Sequence, residues 1–317
     1  MTKKKSRRPK KPLKKASKSS IQRTYLLKAF AGLGILIFLV ITAGVLMHHL
    51  ISKRYTVLPS TKLRVKKTPR FEIYPKDEIP LHKPIPKAKP AVPTKSPRIA
   101  IIIDDIGYDK TIAEKFLDLD AVLTFSILPY STYDKRIARA AHARGFDVML
   151  HLPMEPNEYP SINPGPGVLL TSMSPDQLIN QLNEDLDAVP FVRGVNNHMG
   201  SKMTTIAPQL HQIFSILKKR GLYFIDSRTT ADTLCGPSAQ LLQVPFAQKD
   251  VFIDHIPEPD FVRKTLHRLE KIAENHGEAI GIGHPHSVTY EVLREMLPEL
   301  KKKAELVRAS DIVHIQD

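Results

Sequence analysis

The feature that most constrains the fold is a regular alternation of short apolar runs and amphipathic segments across residues 98–317. The apolar runs have the length and aliphatic composition of β-strands, and the segments between them repeat apolar residues with a helical period. Strands that alternate with helices form a parallel sheet with the helices outside. We predict strands at residues 99–103, 122–128, 146–150, 194–197, 222–225, 251–253, 279–282 and 305–308.

Local signals mark where two of the predicted helices begin. Ser174 is a candidate N-cap, Pro175 suits the first helical position, and Gln177 completes a capping box. Thr289 is a second candidate cap, and Pro298 should kink or end the helix after it. Seven or eight strand–helix units in about 220 residues fit an irregular β/α barrel or an open doubly wound sheet. In both architectures the chemistry collects at the carboxyl ends of the strands.

Five of the predicted strands are followed by an aspartate or histidine that we take as a candidate site residue, and purely structural residues would not be expected to fall so regularly at strand ends. Asp104 and Asp105 follow the first run, His151 the third, His198 the fourth, Asp226 the fifth, and His284 and His286 the seventh. Neighbours on a strand point to opposite faces, so we expect the chain to bend at the aspartate pair. The pattern predicts one polar site at this edge of the sheet.

The residue types at these strand ends indicate metal-dependent hydrolysis. Imidazole and carboxylate groups are ligands of zinc and other divalent transition ions. Three protein ligands leave a position for water, and the ion lowers the pKa of that water. A neighbouring carboxylate can then accept a proton, and a histidine across the site can protonate the leaving group. A serine hydrolase is disfavoured because no G-x-S-x-G motif is present.

At this point the sequence resembles the polysaccharide deacetylase superfamily, and within it the divergent branch. The matching motifs are Ile-Ile-Ile-Asp-Asp-Ile-Gly at 101–107, His-Leu-Pro-Met-Glu at 151–155, Asn-Asn-His-Met-Gly-Ser at 196–201, Asp-Ser-Arg-Thr at 226–229 and Gly-His-Pro-His at 283–286. The resemblance covers residues 98–317. It implies a distorted β/α barrel of about seven strands, of the NodB-like kind, and metal-dependent removal of N- or O-acetyl groups from a glycan.

The resemblance also implies roles for the acidic pair and for a late histidine. In the superfamily the first aspartate of the pair acts as the base and the second binds metal, which makes Asp104 the expected base and Asp105 an expected ligand. A histidine after a late strand acts as the acid, and His284 best matches that place, with His286 as the reserve choice.

The remaining metal ligands depart from the ordinary pattern. His151 is an expected ligand, but Glu155 stands four residues later, where ordinary members carry a second ligand histidine. The third ligand is therefore either His198 or Glu155, and we favour His198. We expect zinc as the ion and an acetylated polysaccharide or peptidoglycan as the substrate. Because the motif is altered, the alternative is an inactive envelope protein that binds glycan in the same pocket.

Other polar residues of these motifs have two interpretations each. Asn196 and Asn197 either bind substrate or satisfy buried backbone. Asp226 and Arg228 either form a pair that hydrogen-bonds a metal ligand or the acid and orients it, or Asp226 caps the next segment. Asp254 follows another strand, and we assign it no role beyond the rim of the site.

The segments before residue 98 predict a membrane anchor. Residues 1–28 hold 12 Lys or Arg and no Asp or Glu, and residues 29–47 are 19 residues without a charge. Such a span nearly crosses a bilayer, and the basic tail favours a cytoplasmic N-terminus. Residues 48–97 contain nine prolines and form a linker. We therefore expect a single-pass signal anchor in the inner membrane, with the 98–317 domain on the periplasmic side.

The charge distribution and the cysteine content limit which partners and which disulfides we expect. The net charge of the chain is +15, but residues 98–317 hold 23 Lys or Arg against 29 Asp or Glu. The basic excess thus belongs to the tail and linker, which favours anionic lipid over nucleic acid as a partner. Cys235 is the only cysteine, so no intrachain disulfide is expected.

Overall fold

The computed structural model describes Thr42 and residues 96–316. In this part of the chain the strands are β1 (Arg98–Ile106), β2 (Thr124–Ile127), β3 (Asp147–Met154), β4 (Val192–Met199), β5 (Tyr223–Asp226), β6 (Phe246–Gln248), β7 (Val251–Phe252), β8 (Glu278–Gly283) and β9 (Glu305–Val307). The α-helices are α1 (Lys110–Leu117), α2 (Asp134–Ala143), α3 (Pro175–Ala188), α4 (Ala207–Arg220), α5 (Cys235–Leu242), α6 (Pro259–His276) and α7 (Ser287–Lys303).

All pairings between these strands are parallel, as the alternating pattern predicts. The strand order is β6-β5-β4-β3-β2-β1-β8-β7, and β9 pairs with the first residues of β1. Each predicted run corresponds to a strand. The sequence missed β6, so the sheet has nine strands where the apolar runs predict eight and the resemblance implies about seven.

The sheet is curled. Its two end strands, β6 and β7, are consecutive along the chain, so a short link must join the two edges. Only Lys249 and Asp250 separate β6 from β7. The backbone N–H of Lys249 donates to the carbonyl of Asp226 on β5, and that of Asp250 donates to the carbonyl of Ile280 on β8. This short link therefore connects the two edges of the curled sheet and brings β5 and β8 to the same region.

The two faces of the sheet belong to two hydrophobic cores. The outer face packs against the helices, and residues such as Ile101 on β1 and Leu150 on β3 belong to that core. The inner face carries a smaller core that includes Ile102, Met149 and Ile282. Because side chains alternate along a strand, the next inner positions are Asp104, His151 and His284. The inner core thus lies directly beneath these polar side chains, on the same face of the sheet.

Three strands extend further than the apolar runs predict. The structure continues β1 to Ile106, β3 to Met154 and β4 to Met199. The polar motif residues on these strands therefore lie within the strands, near their carboxyl ends. The pattern of apolar residues ends at these side chains, but the hydrogen bonding of the sheet does not.

The predicted helix starts have different outcomes. The capping box of Ser174 and Gln177, with Pro175 in the first turn, is confirmed. The helix expected after Thr289 instead begins at Ser287 and continues past Pro298 to Lys303, so the proline does not end it. The hydroxyl of Thr289 instead donates to a buried carboxylate, Asp254.

The predicted anchor at residues 29–47 lies outside the described residues, apart from Thr42, as do the tail at 1–28 and nearly all of the linker at 48–97. Among the residues that the structure describes, no helix is both long and apolar enough to cross a membrane.

Candidate metal centre

The acidic pair lies where β1 bends, as the sequence predicts. Asp105 has a left-handed backbone with a φ of 53°, and the pairing of β1 with β2 is irregular between Ile103 and Ile106. A residue other than glycine adopts this conformation at an energetic cost that the surrounding structure must offset. The bend lets both Asp104 and Asp105 approach the same inner histidine, His151, although they are neighbours on a strand.

The two histidines come from adjacent strands. His151 is on β3 and His198 is on β4, where it pairs in register with Pro153. Both side chains are almost fully buried. Parallel pairing of β3 and β4 therefore brings the imidazoles together, with their ring centroids 4.8 Å apart.

Three donor atoms converge at this place. Asp105 Oδ1 lies 3.2 Å from His151 Nε2 and 3.1 Å from His198 Nδ1. The two ring nitrogens are 3.1 Å apart. Asp105, His151 and His198 form one of two groups of described residues whose donor atoms are close enough to hold a metal ion.

The geometry of these atoms fits a small divalent cation. With metal–ligand distances of about 2.0–2.1 Å, ligand atoms of a tetrahedral zinc site lie about 3.3 Å apart. Both carboxylate oxygens of Asp105 are buried and accept no hydrogen bond from the described residues. A buried carboxylate without hydrogen bonds is costly unless a cation lies beside it. The donor set of two imidazoles and one carboxylate thus has the composition and the spacing of a three-ligand site.

Electrostatics couple the carboxylate to the histidines. Burial would raise the pKa of Asp105, but His198 and His151 outweigh it and hold that pKa well below its usual range. Burial would lower the pKa of His151, but Asp104 and Asp105 outweigh it and raise that pKa to about 9. The group therefore attracts positive charge, which a proton or a metal ion can supply.

Asp104 lies beside the three-ligand group and has its own polar partner. Its Oδ2 is 3.7 Å from His151 Nε2. The side-chain amide of Asn196 donates to both of its oxygens, at 2.8 and 3.0 Å. Burial raises the pKa of Asp104, while the nearby histidines and Asn196 oppose that shift. Asp104 is thus a buried carboxylate held at the edge of the donor group.

His284 follows β8 and is oriented by an aspartate that sequence reasoning left at the rim. Its Nδ1 donates to Asp254 Oδ1 at 2.8 Å, and its backbone N–H donates to Asp254 Oδ2. Burial would lower the pKa of His284, but Asp254 outweighs it and, with smaller effects of Asp104 and Asp105, raises the pKa to about 10. Asp254 directly follows a predicted strand, which is the signal that identified the other site residues.

His286 lies next to this pair. Its ring centroid is 6.1 Å from that of His284, and it completes the second group of potential metal ligands with His284 and Asp254. Burial, and then the charge of His284, lower the pKa of His286. Both Asp254 oxygens already accept hydrogen bonds from His284, and one also accepts from Thr289. This arrangement is a hydrogen-bonded pair rather than an open ligand set.

Glu155 points to other partners. Its Oε1 is 2.7 Å from Lys202 Nζ, and its Oε2 accepts a hydrogen bond from the backbone of Thr171. It is not a member of either group of potential metal ligands among the described residues. Of the two alternatives for the third ligand, the structure brings His198 to Asp105.

The other motif residues hold the loops around the site. Asn197 is fully buried, donates to the carbonyl of Met199 and accepts from the backbone N–H of Ser227. Asp226 accepts from the backbone N–H of Arg228 and from a threonine hydroxyl, that of Thr233.

The guanidinium of Arg228 bonds Gln248 on β6 rather than the carboxylate of Asp226. The charge of Arg228 still lowers the pKa of Asp226, which burial raises. The structure therefore places Asp226 as a cap of the segment that follows β5.

Comparisons with known proteins find one family, two related sequences and a related crystal structure. A family model described as divergent polysaccharide deacetylase matches residues 101–313. The protein YibQ of Escherichia coli strain K12 is 32% identical over 222 residues, which cover 70% of this chain and 69% of YibQ. A protein of Haemophilus influenzae strain Rd is 30% identical over 210 residues, which cover 66% of this chain and 74% of that protein. The crystal structure of protein ATU2773 from Agrobacterium tumefaciens C58 has a TM-score of 0.67 and 26% identity, and the match covers 71% of this chain and 92% of that one.

Proposed function

The chain belongs to the divergent polysaccharide deacetylase family, and on this premise we propose that it is a metal-dependent hydrolase that removes acetyl groups from a carbohydrate of the cell envelope. The observation that carries the proposal is the convergence of Asp105, His151 and His198 beside a separate carboxylate, Asp104, and a separate histidine, His284. Together these side chains supply the ligands, base and acid that hydrolysis of an acetyl group requires.

Zinc is the ion that we propose for the three-ligand group. Two imidazoles and one carboxylate are a ligand set that zinc accepts, and three protein ligands leave one position open. When bound there, such an ion polarises a carbonyl and lowers the pKa of a water molecule. The chain itself contributes three buried side chains, Asp105, His151 and His198, whose donor atoms are already close together.

Asp104 is the proposed base. It lies beside the ligand group without belonging to it, and the amide of Asn196 holds both of its oxygens in place. A carboxylate held at this position can accept the proton of the attacking water.

His284 is the proposed acid. Its pKa of about 10 keeps it protonated at neutral pH, and Asp254 fixes its ring through Nδ1. The Nε2 proton of His284 is then the one available for the departing amine or alkoxide.

The proposed substrate is an acetylated polysaccharide or peptidoglycan. The test is acetate release from a panel of N- and O-acetylated envelope glycans by the full-length, zinc-loaded chain. We expect release by the wild type and a decrease of about 10²–10⁴-fold in Asp104→Asn with zinc retained. Tight binding of glycan without acetate release by the wild type would contradict the proposal and favour an inactive glycan-binding protein.

We further propose that residues 29–47 anchor the chain in the inner membrane with the 98–317 domain on the periplasmic side. The support is the uncharged 19-residue run and the basic residues before it. The full-length chain should remain with the membranes after extraction at alkaline pH, and deletion of residues 29–47 should release it. Release of the unaltered chain would contradict this proposal.

A further inference from the structure

Asn196 contacts both the proposed base and a proposed metal ligand. It is fully buried on β4, and its Cα pairs in register with that of His151 on β3. Its Nδ2 donates to both oxygens of Asp104, at 2.8 and 3.0 Å. Its Oδ1 is 2.9 Å from His151 Nδ1 and also accepts a hydrogen bond from the hydroxyl of Ser126. One amide therefore bridges two groups with different proposed roles.

The orientation of this amide follows from the chemistry of its neighbours. An ionised carboxylate only accepts hydrogen bonds, so the NH₂ group of Asn196 must face Asp104. The amide oxygen must then face His151, and because that oxygen only accepts, Nδ1 of His151 must carry the proton. Nε2 of His151 is thereby left to face Asp105 and His198, where a metal ligand needs a lone pair.

We propose that Asn196 is a positioning residue that fixes the tautomer of His151 and the carboxylate of Asp104 at the same time. Ser126, on β2 and separated from β4 by β3, donates to the amide oxygen of Asn196 and limits the freedom of this amide to rotate. The inference rests on the proposed function for the roles of Asp104 and His151, but the contacts themselves are independent of any substrate.

Asn197 shows that this arrangement is specific to one position. It is the same residue type on the same strand and is equally buried. Its amide bonds the backbone of Met199, the last residue of β4, and of Ser227, in the loop after β5. Because side chains alternate along β4, Asn196 faces the candidate metal centre and Asn197 faces the neighbouring loops. Asn197→Ala is therefore the control for Asn196→Ala, because it also removes a buried amide from β4 but leaves the contacts of Asp104 and His151 intact.

The first experiment measures zinc affinity of the metal-free, full-length chain by competition with a chelator. Loss of an outer-shell partner of a ligand histidine weakens metal binding by about 10–100-fold, which is the result expected for Asn196→Ala. Asn197→Ala should bind zinc as the wild type does. Equal zinc affinity of Asn196→Ala and the wild type would overturn the proposal.

A second variant separates the two halves of the proposal and also guards against misfolding. Asn196→Asp keeps an acceptor for His151 Nδ1 but places an oxygen against Asp104. It should retain zinc while kcat for acetate release falls by about 100-fold. Loss of zinc from Asn196→Asp together with unchanged kcat per bound zinc would contradict the assignment.

A spectroscopic measurement needs no activity. In the zinc-loaded chain with ¹⁵N-labelled histidine, the Nδ1 proton of His151 should be observed and exchange slowly with water in the wild type and in Asn197→Ala. It should exchange rapidly in Asn196→Ala. If the wild type releases no acetate but shows this signal, the proposed function fails and the positioning role stands. A proton on Nε2 of His151 in the wild type would overturn the positioning role.

Discussion

At the scale of single residues, the hydrogen bond between His284 and Asp254 sets the protonation of the proposed acid. The pKa of His284 is about 10 because Asp254 outweighs the effect of burial. An opposite charge at this distance shifts a pKa by about one to three units, so in Asp254→Asn the pKa of His284 should fall by that amount. The acid acts when protonated, and activity is lost as pH rises through its pKa. We therefore expect the alkaline limb of kcat/KM for acetate release to move to lower pH in Asp254→Asn.

Thr289→Val is the matched control for this shift. It removes the hydroxyl that donates to Asp254 Oδ2 but leaves the bond between Asp254 and His284. Its alkaline limb should stay near that of the wild type. An unchanged limb in Asp254→Asn would show that Asp254 does not hold the proton on His284.

Asp185 on α3 predicts a different pH dependence, that of stability. Burial raises its pKa from 3.8 to about 7, and Oδ2 has no hydrogen-bond partner among the described residues. The folded state binds this proton more tightly than the unfolded state does, so the contribution of Asp185 to stability is lost as pH rises from about 4 to about 7. Asp185→Asn should therefore raise the free energy of unfolding by about 1–3 kcal/mol at pH 8, with little gain at pH 4.

Denaturant unfolding of the full-length chain at the two pH values measures this difference. Asp187→Asn, on the same helix, is the control because Asp187 is exposed and paired with Arg220. An exposed ion pair contributes little, so this variant should show no such gain at pH 8. Equal gains at pH 4 and pH 8 for Asp185→Asn would exclude a proton-linked effect.

At the scale of elements, the loop after β1 is packed tightly against the loop after β2. Gly107 has a φ of 137°, and a Cβ there would overlap Ser131 Oγ. The carbonyl of Gly107 also accepts the backbone N–H of Tyr133. Gly107→Ala should lower the free energy of unfolding by about 1–3 kcal/mol through overpacking, in addition to its backbone cost. The displaced loop should also weaken zinc binding, since Asp105 is two residues away.

Gly145→Ala separates the cost of overpacking from the backbone cost of a positive φ. Gly145 also has a positive φ, of 79°, but nothing lies within 4 Å of an added Cβ. Only the backbone penalty remains there, so Gly145→Ala should be the less destabilising change and should leave zinc affinity intact. The same urea series on both variants tests this, and equal losses of stability would contradict tight packing at Gly107.

The elements also show what the sequence reveals and where its signal ends. Apolar runs located every strand except β6, whose three residues, Phe246–Gln248, include no aliphatic run. The same runs placed the ends of β1, β3 and β4 too early, because polar site residues replace apolar ones where the strands continue. The strand ends still pointed to the residues that converge at the candidate metal centre, since parallel pairing brings such ends together.

Contacts between distant elements were less predictable. Asp254 follows a strand of two residues, β7, and its role depends on β7 pairing with β8, which the sequence order does not reveal. The bridge made by Asn196 likewise requires the register of His151 with Asn196, and no local pattern specifies that register.

At the scale of the whole molecule, the charge distribution separates a basic N-terminal part from an acidic domain. The basic excess lies in residues 1–28 and 48–97, whereas residues 98–317 carry a net charge of −6. The buried carboxylates of the candidate metal centre are part of that negative charge, and each lies beside a histidine. This distribution supports the two separate proposals that the domain binds a cation and that the segments before it contact lipid.

The central claim is that Asp105, His151 and His198 hold one divalent ion, and elemental analysis of the purified full-length chain tests it most directly. After equilibration with zinc and dialysis, we expect about one ion per chain in the wild type and in Glu155→Gln, and almost none in His198→Ala. A wild-type chain that retains no metal, or a His198→Ala variant that retains as much zinc as the wild type, would contradict the account.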